Sequence, residues 1–372
     1  MRHPCVALAE CCEFLDHIRK PVKESERVNG PYPYFGANGQ QGWINGYLFD
    51  EPLVLLAEDG GHFSNPERGI AYKINGKTWV NNHAHVLRPI KGIVDVDYLA
   101  HALKNKDVRR HLSGSTRDKL TKAGACQIEI PLPPLEEQRR IAAILDASQK
   151  LQSLHRLRID GLFGLRQSMY QQLFALPGSE PLPLSSLAKI TSGYAFKAAD
   201  FCEQGVHVIR MSDLSGEDVD LASSALVPAE VIENLERFEL FEGDILLGMS
   251  GSLGKLGIVP CIPAGARVFL NQRVAKISLL PSSPISRELL VEAIKSKEYI
   301  GHLERCAAGV AVRNVSSTQM LDFLIPVLTE EEGQAFSTGC RTVSAQILRS
   351  EHCIAQSREL QASLVEVLLG QS

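Results

Sequence analysis

The sequence predicts an α+β chain in which two tandem β-rich domains with helices are separated and held by two long helices. Three observations predict it. Landmarks of the first half recur in the second half in the same order, each half closes with a long helical pattern, and the segments before those patterns are short apolar runs between turn formers. At 372 residues the chain is long enough for two domains of ordinary size plus connectors.

The repeat is read landmark by landmark. The Leu8-Ala9 and Leu187-Ala188 pairs open the two halves. Pro33-Tyr34-Phe35-Gly36 then stands opposite Val208-Ile209-Arg210-Met211, and Leu53-Val54-Leu55-Leu56 with Gly60-Gly61 stands opposite Asp244-Ile245-Leu246-Leu247 with Gly251-Ser252. The polar clusters Asn81-Asn82-His83 and Asn271-Gln272-Arg273 follow, with Asn82 and Asn271 taken as equivalent; then come helix-like stretches at 96–103 and 287–294, and finally the Ile130-Pro131 and Ile325-Pro326 pairs. Six matches in one order argue for duplication. Strand-like runs at 53–57, 70–74, 206–210, 244–248, 255–259 and 274–279 are bounded by Gly, Pro, Asn and Asp.

The first long helix is predicted after Pro133-Pro134, with Glu136 and Glu137 in its first turn and Pro177-Gly178 beyond its end. Its apolar stripe is Ile141, Ile144, Leu145, Leu151, Leu154, Leu162, Leu165 and Met169. The second is predicted from Thr329, an N-cap with Glu332 in capping-box position, and its stripe is Phe336, Val343, Ile347, Ile354, Leu364 and Leu368, with Cys340 between. Each runs about 60 Å at 1.5 Å per residue. Neither stripe can be left in water, so the two pack on each other. Gly161 and Gly164 mark either a close helix approach or a bend. The divisions are therefore 1–134, 135–176, 177–328 and 329–372.

The segment Ile130-Pro131-Leu132-Pro133-Pro134-Leu135-Glu136-Glu137-Gln138-Arg139-Arg140-Ile141 closely resembles the junction between a target-recognition domain and its spacer helix in type I restriction-modification specificity subunits. Ser192-Gly193-Tyr194-Ala195-Phe196, Gly243-Asp244-Ile245-Leu246-Leu247 and Pro33-Tyr34-Phe35-Gly36-Ala37-Asn38-Gly39 resemble other pieces of such domains. The second junction keeps Ile325-Pro326 and Glu330-Glu331-Glu332 but lacks the double proline and the Gln. The resemblance covers essentially the whole chain. It implies a non-catalytic recognition subunit in which each domain reads half of a bipartite site in double-stranded DNA. It also implies an antiparallel coiled coil that sets the spacing and docks two methyltransferase subunits, with restriction/translocase subunits joining them. S-adenosylmethionine, ATP and Mg are expected on those partners and no cofactor on this chain.

Donors and forked side chains near turns are the candidate DNA contacts. They are Asn38, Asn82, His83, Ser115, Arg117, Lys119 and Lys122 in the first domain. In the second they are Lys197, Arg210, Ser250, Ser252, Lys255, Gln272, Arg273, Arg313 and Asn314. The net charge of −4 runs against phosphate binding, although seven basic residues lie between Lys104 and Lys122 against two acidic ones. Partner subunits are expected to supply the rest of a positive channel.

Catalytic motifs are missing. Met249 stands where the first glycine of a phosphate loop belongs before Gly254-Lys255, and Asn65-Pro66-Glu67-Arg68 lacks the aromatic half of an adenine-methylase motif. No Pro-Asp dipeptide and no Gly-x-Ser-x-Gly elbow occurs. The nine cysteines include no Cys-x-x-Cys, and His83 and His85 have no acidic or cysteine neighbour at ligand spacing, so no metal site is expected. Cysteine usage and the lack of a long apolar stretch fit a cytoplasmic protein without a membrane span. The alternative reading is a non-catalytic coiled-coil scaffold whose two modules bind protein.

Overall fold

The computed structural model describes residues 3–65, 68–114, 118–174, 180–250, 253–307 and 315–369, with no side-chain description at 368 and 369. The chain divides into two compact units, Met1–Arg156 with Glu351–Ser372, and Leu157–Ser350.

The first unit contains β1 (Cys5–Ala7), α1 (Leu8–Cys11), β2 (Cys12–Phe14), β3 (Tyr32–Gly36), β4 (Gly39–Ile44), β5 (Phe49–Asp50), β6 (Leu53–Ala57), β7 (Ala71–Ile74), β8 (Lys77–Val80), β9 (Ala84–Pro89), α2 (Val96–Lys104), α3 (Lys122–Cys126) and β10 (Glu129–Pro131). Its sheets have the orders β2-β9-β6-β7 and β4-β3-β8-β5, and β1 pairs with β10. Strand β6 is buried along its whole length. Val54 and Leu56 face a core shared with Leu99, Leu103, Ile141 and Leu145, and Leu53 and Leu55 face a second core with Phe49, Val80 and Val86. A fully apolar strand between two layers is what a continuous Leu-Val-Leu-Leu run requires. Helix α2 starts on Asp95, whose carboxylate accepts from the Asp97 and Tyr98 amides, and it buries Tyr98, Leu99, Ala102 and Leu103.

The long helices α4 (Leu135–Leu173) and α8 (Glu330–Leu369) each contribute to both units. The second unit adds β11 (Pro181–Pro183), β12 (Ala188–Ser192), β13 (Val206–Ile209), β14 (Ala225–Val227), β15 (Glu239–Leu240), β16 (Ile245–Gly248), β17 (Leu256–Ile258), β18 (Val268–Leu270), β19 (Val274–Leu279), α5 (Arg287–Lys295), α6 (Lys297–Cys306), α7 (Ser317–Leu321) and β20 (Leu324–Pro326). Its sheets have the orders β12-β19-β16-β17 and β14-β13-β18-β15, with β11 on β20. These are the first unit's orders, strand for strand. Among the described strands, the parallel pair falls at the same place in each unit, β3 with β8 and β13 with β18. The duplication read from the sequence is thus a duplication of topology, and α6 is an addition of the second copy.

Gln138 explains the Pro-Pro-Leu-Glu-Glu-Gln junction. It is completely buried, its Nε2 donates to Pro133 O (2.8 Å) and Ile93 O (3.0 Å), and its Oε1 accepts from Asp95 N (2.8 Å). One carboxamide therefore ties the start of α4 to the segment that launches α2. In the second copy Gly333 occupies this place, its amide donating to Thr329 O as Gln138 N does to Pro134 O. The start of α8 is held instead by the reciprocal Thr329–Glu332 capping box.

The helix seam corrects the predicted stripe. Ile141, Leu145, Phe336, Val343, Ile347 and Ile354 are buried, and Ile144, Leu162, Met169 and Leu364 are half-buried. Leu151, Leu154 and Leu165, however, are about half exposed, at 47%, 54% and 49%. At 3.6 residues per turn they stand about 80–140° away from the side of Ser148 and Gln152. Those two polar residues take the seam: in the first unit Ser148 Oγ meets Ser357 Oγ (3.0 Å) and Gln152 Nε2 donates to Gln361 Oε1 (2.8 Å). Scanning for apolar periodicity passes over such positions. In the second unit Arg158 contacts Gln346 and Arg166 contacts Ser344, so α4 and α8 run antiparallel. A Cβ on Gly161 or Gly164 would meet nothing within 4 Å, which removes close approach as their role; the tight position is Gly339, where a Cβ would lie 2.5 Å from Met169 Cε.

Candidate nucleic-acid interface

In the first unit four polar segments converge beside the end of β6. The Asn81-Asn82-His83 turn joins β8 to β9, and the amide of Glu58 donates to His83 O (2.9 Å). Asn38, at the β3–β4 turn, donates from Nδ2 to Gly60 O (2.9 Å), and Asp59 forms a β-bridge with Lys119. Beneath them lies a charged network. His85 is fully buried, its Nδ1 2.7 Å from Asp16 Oδ2 and its Nε2 2.7 Å from Leu120 O. Arg19 reaches Glu58 Oε2 (2.6 Å) and Ala84 O (2.8 Å), and Lys119 reaches Glu58 Oε1 (3.0 Å). Burial alone raises the Asp16 pKa; the His85 bond and charge, the Val86 amide and Arg19 together outweigh it and leave it lowered.

Asp16, Glu58 and His85 bring three ligand-type atoms within 4.8 Å of one another. Sequence spacing could not foresee this, since Asp16 and Glu58 come from distant segments. Arg19 and Lys119 balance the carboxylates, and both His85 ring nitrogens face oxygen acceptors, so these side chains are joined in one ion-pair and hydrogen-bond network.

The second unit repeats the turn. Asn271-Gln272-Arg273 joins β18 to β19 with the same length. Asn271 N donates to Ile209 O (3.2 Å) as Asn81 N does to Phe35 O (3.0 Å). The structural equivalents are therefore Asn81 with Asn271, Asn82 with Gln272 and His83 with Arg273, which moves the pairing of Asn82 with Asn271 by one residue. Gly193 is required beside this turn, because a Cβ there would lie 2.3 Å from Asn271 O. Tyr194 N donates to Leu270 O and Gln272 N to Tyr194 O (both 2.8 Å), so the Ser-Gly-Tyr segment braces the turn.

The candidate contacts sort by whether the fold already employs them. Asn38 and Lys119 are engaged as described, and His83 Nδ1 is paired with Asp59 (2.5 Å). Arg210 lies against Asp213, Lys255 Nζ reaches Met211 O (3.5 Å), and Ser250 is buried. Lys122 is exposed and lies over the Phe14 ring, and Lys197 is exposed beside a short turn. Among the described residues, the exposed side chains of Asn82, Gln272 and Arg273 have no hydrogen-bond or ionic partner. Ser115, Arg117, Ser252, Arg313 and Asn314 lie outside the described residues.

A cavity of about 290 Å³ in the second unit is lined by Phe163, Arg166, Glu217, Lys255, Glu292 and Lys295 among others. Arg166 is paired with Glu292 and Lys295 with Glu217, and Lys255 donates to Met211 O, so these charged groups are already engaged within the fold. Among the described residues no helix is long and apolar enough to cross a membrane.

A family described as the type I restriction modification DNA specificity domain matches residues 5–161. A Haemophilus influenzae protein described as a type I restriction enzyme specificity subunit is 31% identical over 259 residues, which cover 67% of this chain and 66% of that protein. This chain thus spans about two thirds of that relative's length. A type I restriction enzyme specificity subunit of Methanocaldococcus jannaschii is 25% identical over 369 residues, covering 89% of this chain and 84% of its own. The crystal structure of a type I restriction-modification S subunit from M. genitalium shares the fold with a TM-score of 0.60 at 14% identity, covering 98% of this chain and 96% of that one. A chain from a structure of type I complex assembly gives 0.53 at 14% identity, with 98% and 97% covered.

Proposed function

The chain belongs to the family of type I restriction-modification DNA specificity subunits, and from that premise we propose that it is the non-catalytic reader of a bipartite DNA site, each β-rich domain reading one half. The observation that carries this reading is the repeated head: one strand order built twice, each copy presenting a polar three-residue turn at the same place. Two reading heads in one chain suit a target made of two separated halves.

The α4–α8 pair sets the number of base pairs between the halves and docks methyltransferase subunits. The leucines left outside the seam support docking: Leu151, Leu154 and Leu360 are exposed in the first unit, and Leu157, Leu165 and Leu348 in the second. S-adenosylmethionine chemistry resides on those partners, and ATP- and Mg-dependent chemistry on the restriction/translocase subunits. With a net charge of −4, the subunit binds DNA weakly alone and tightly in the complex, where partners add positive charge.

The test is methylome sequencing of cells carrying the chain with its methyltransferase subunits, beside salt-dependent duplex binding by the purified complex. A split adenine-methylated motif, and affinity that falls steeply with salt, are expected. The scaffold alternative predicts neither. Equal DNA affinity of the free subunit and the complex would refute the shared-channel explanation of the acidic charge.

A further inference from the structure

We propose that Asn82 and Gln272 are matched base readers, each recognising the adenine of an A·T pair in its own half-site. The inference rests on the specificity-subunit reading above and assigns a base to one position in each head.

Three observations meet at these residues. They are equivalent in the duplicated fold: each is the middle residue of a three-residue turn that follows the strand in the unit's parallel pair. Each is held on a rigid mount. In the first unit Asn81 Oδ1 accepts from His83 N (2.8 Å), His83 O accepts from Glu58 N, and the His83 ring is fixed by Asp59. In the second, Gln272 N donates to Tyr194 O (2.8 Å), Arg273 O accepts from Met249 N (3.1 Å), and Val274 N closes the turn on Asn271 O (2.9 Å). Finally, both side chains are exposed and unpartnered among the described residues, whereas Asn38, His83, Lys119, Arg210 and Lys255 are committed to contacts within the fold.

Chemistry selects the base. A carboxamide offers an acceptor and a donor in one plane, the complement of adenine N6–H and N7 in the major groove. A rigid backbone with a free tip is what precise placement of such a group needs. The neighbouring positions differ, since His83 is tied to Asp59 in one head while Arg273 is exposed in the other, so the two heads share a reader for A·T and differ beside it.

The experiment uses the full chain with its methyltransferase subunits, on the motif that wild type methylates. Asn82→Ala is expected to relax one A·T position in one half-site, and Gln272→Ala one in the other, each weakening cognate binding about 5- to 150-fold with an unchanged salt slope. Asn82→Asp and Gln272→Glu keep an acceptor and lose the amide donor, and are expected to shift preference at that position from adenine toward cytosine. Thermal unfolding matching wild type shows that each variant is folded. An unaltered motif in the alanine variants overturns the assignment. So does a uniform loss on all sequences with a shallower salt slope, which marks a phosphate contact, and so does relaxation at a G·C position. A wild-type complex with no bipartite motif refutes the specificity reading itself.

Discussion

Replacing Gln138 with Met tests the junction between the first head and its helix. The thioether fills the same volume but makes none of the three bonds that Gln138 makes to Asp95 N, Ile93 O and Pro133 O. A buried neutral hydrogen bond contributes about 1 kcal/mol net, and groups left unpaired cost more, so the loss is at least about 3 kcal/mol. With a urea dependence of about 2 kcal/mol per molar, the unfolding midpoint falls by about 1.5 M. The assay is built into the chain. Its two tryptophans, Trp43 and Trp79, both lie in the first unit, so tryptophan emission follows that unit alone. The shift is expected in the tryptophan signal and not in a probe of the second unit, where Gly333 replaces the glutamine. A midpoint change under about 0.3 M, which is about 0.6 kcal/mol at that slope, would refute the argument that these bonds hold the junction.

Gly161→Ala and Gly164→Ala should each stabilise the chain by up to about 1 kcal/mol in chemical denaturation followed by circular dichroism, because the added methyl meets no neighbour. Arg166→Met should cost about 3–5 kcal/mol by leaving the buried Glu292 carboxylate without a counter-charge and with only the Gln167 carboxamide as a hydrogen-bond partner. Hydrogen exchange in the second unit reads that loss, and Arg166→Met with Glu292→Leu should recover most of it. Asp16, with its pKa lowered in the fold, contributes stability that is present above the ordinary carboxylate pKa and lost as pH falls through the folded value. Wild type should therefore exceed Asp16→Asn at neutral pH, with the gap closing below about pH 4; a gap that widens on acidification would contradict the sign. Leu154→Lys should leave the tryptophan-reported midpoint unchanged and weaken capture of the methyltransferase subunit, as measured by calorimetry.

The duplication and the long helices were legible because they rest on order and periodicity, which survive in sequence. The helix faces were not fully legible. Leu151 and Leu154 signal a buried stripe to any apolar count, while the seam beside them is built from Ser148 and Gln152, whose hydrogen-bond partners lie some two hundred positions away. The site was legible as a place more than as individual contacts. The polar turns at 81–83 and 271–273 stood out, yet only contacts in three dimensions show that His83 and Lys119 are bound into the fold while Asn82 and Gln272 are free. The network of Asp16, Glu58 and His85 left no pattern in sequence, because the fold assembles it from three separate segments.

The serine and glutamine pairs between α4 and α8 have a consequence for folding fidelity. One leucine looks much like the next to a facing helix, so an oily interface tolerates slippage. If α4 slid by seven residues in the first unit, Ile141 and Leu145 would take the positions of Ser148 and Gln152 and strand the buried Ser357 hydroxyl without either partner. Stranding it costs about 1–3 kcal/mol. Misaligned pairings are thereby penalised before any partner arrives, and the helices settle into a single alignment.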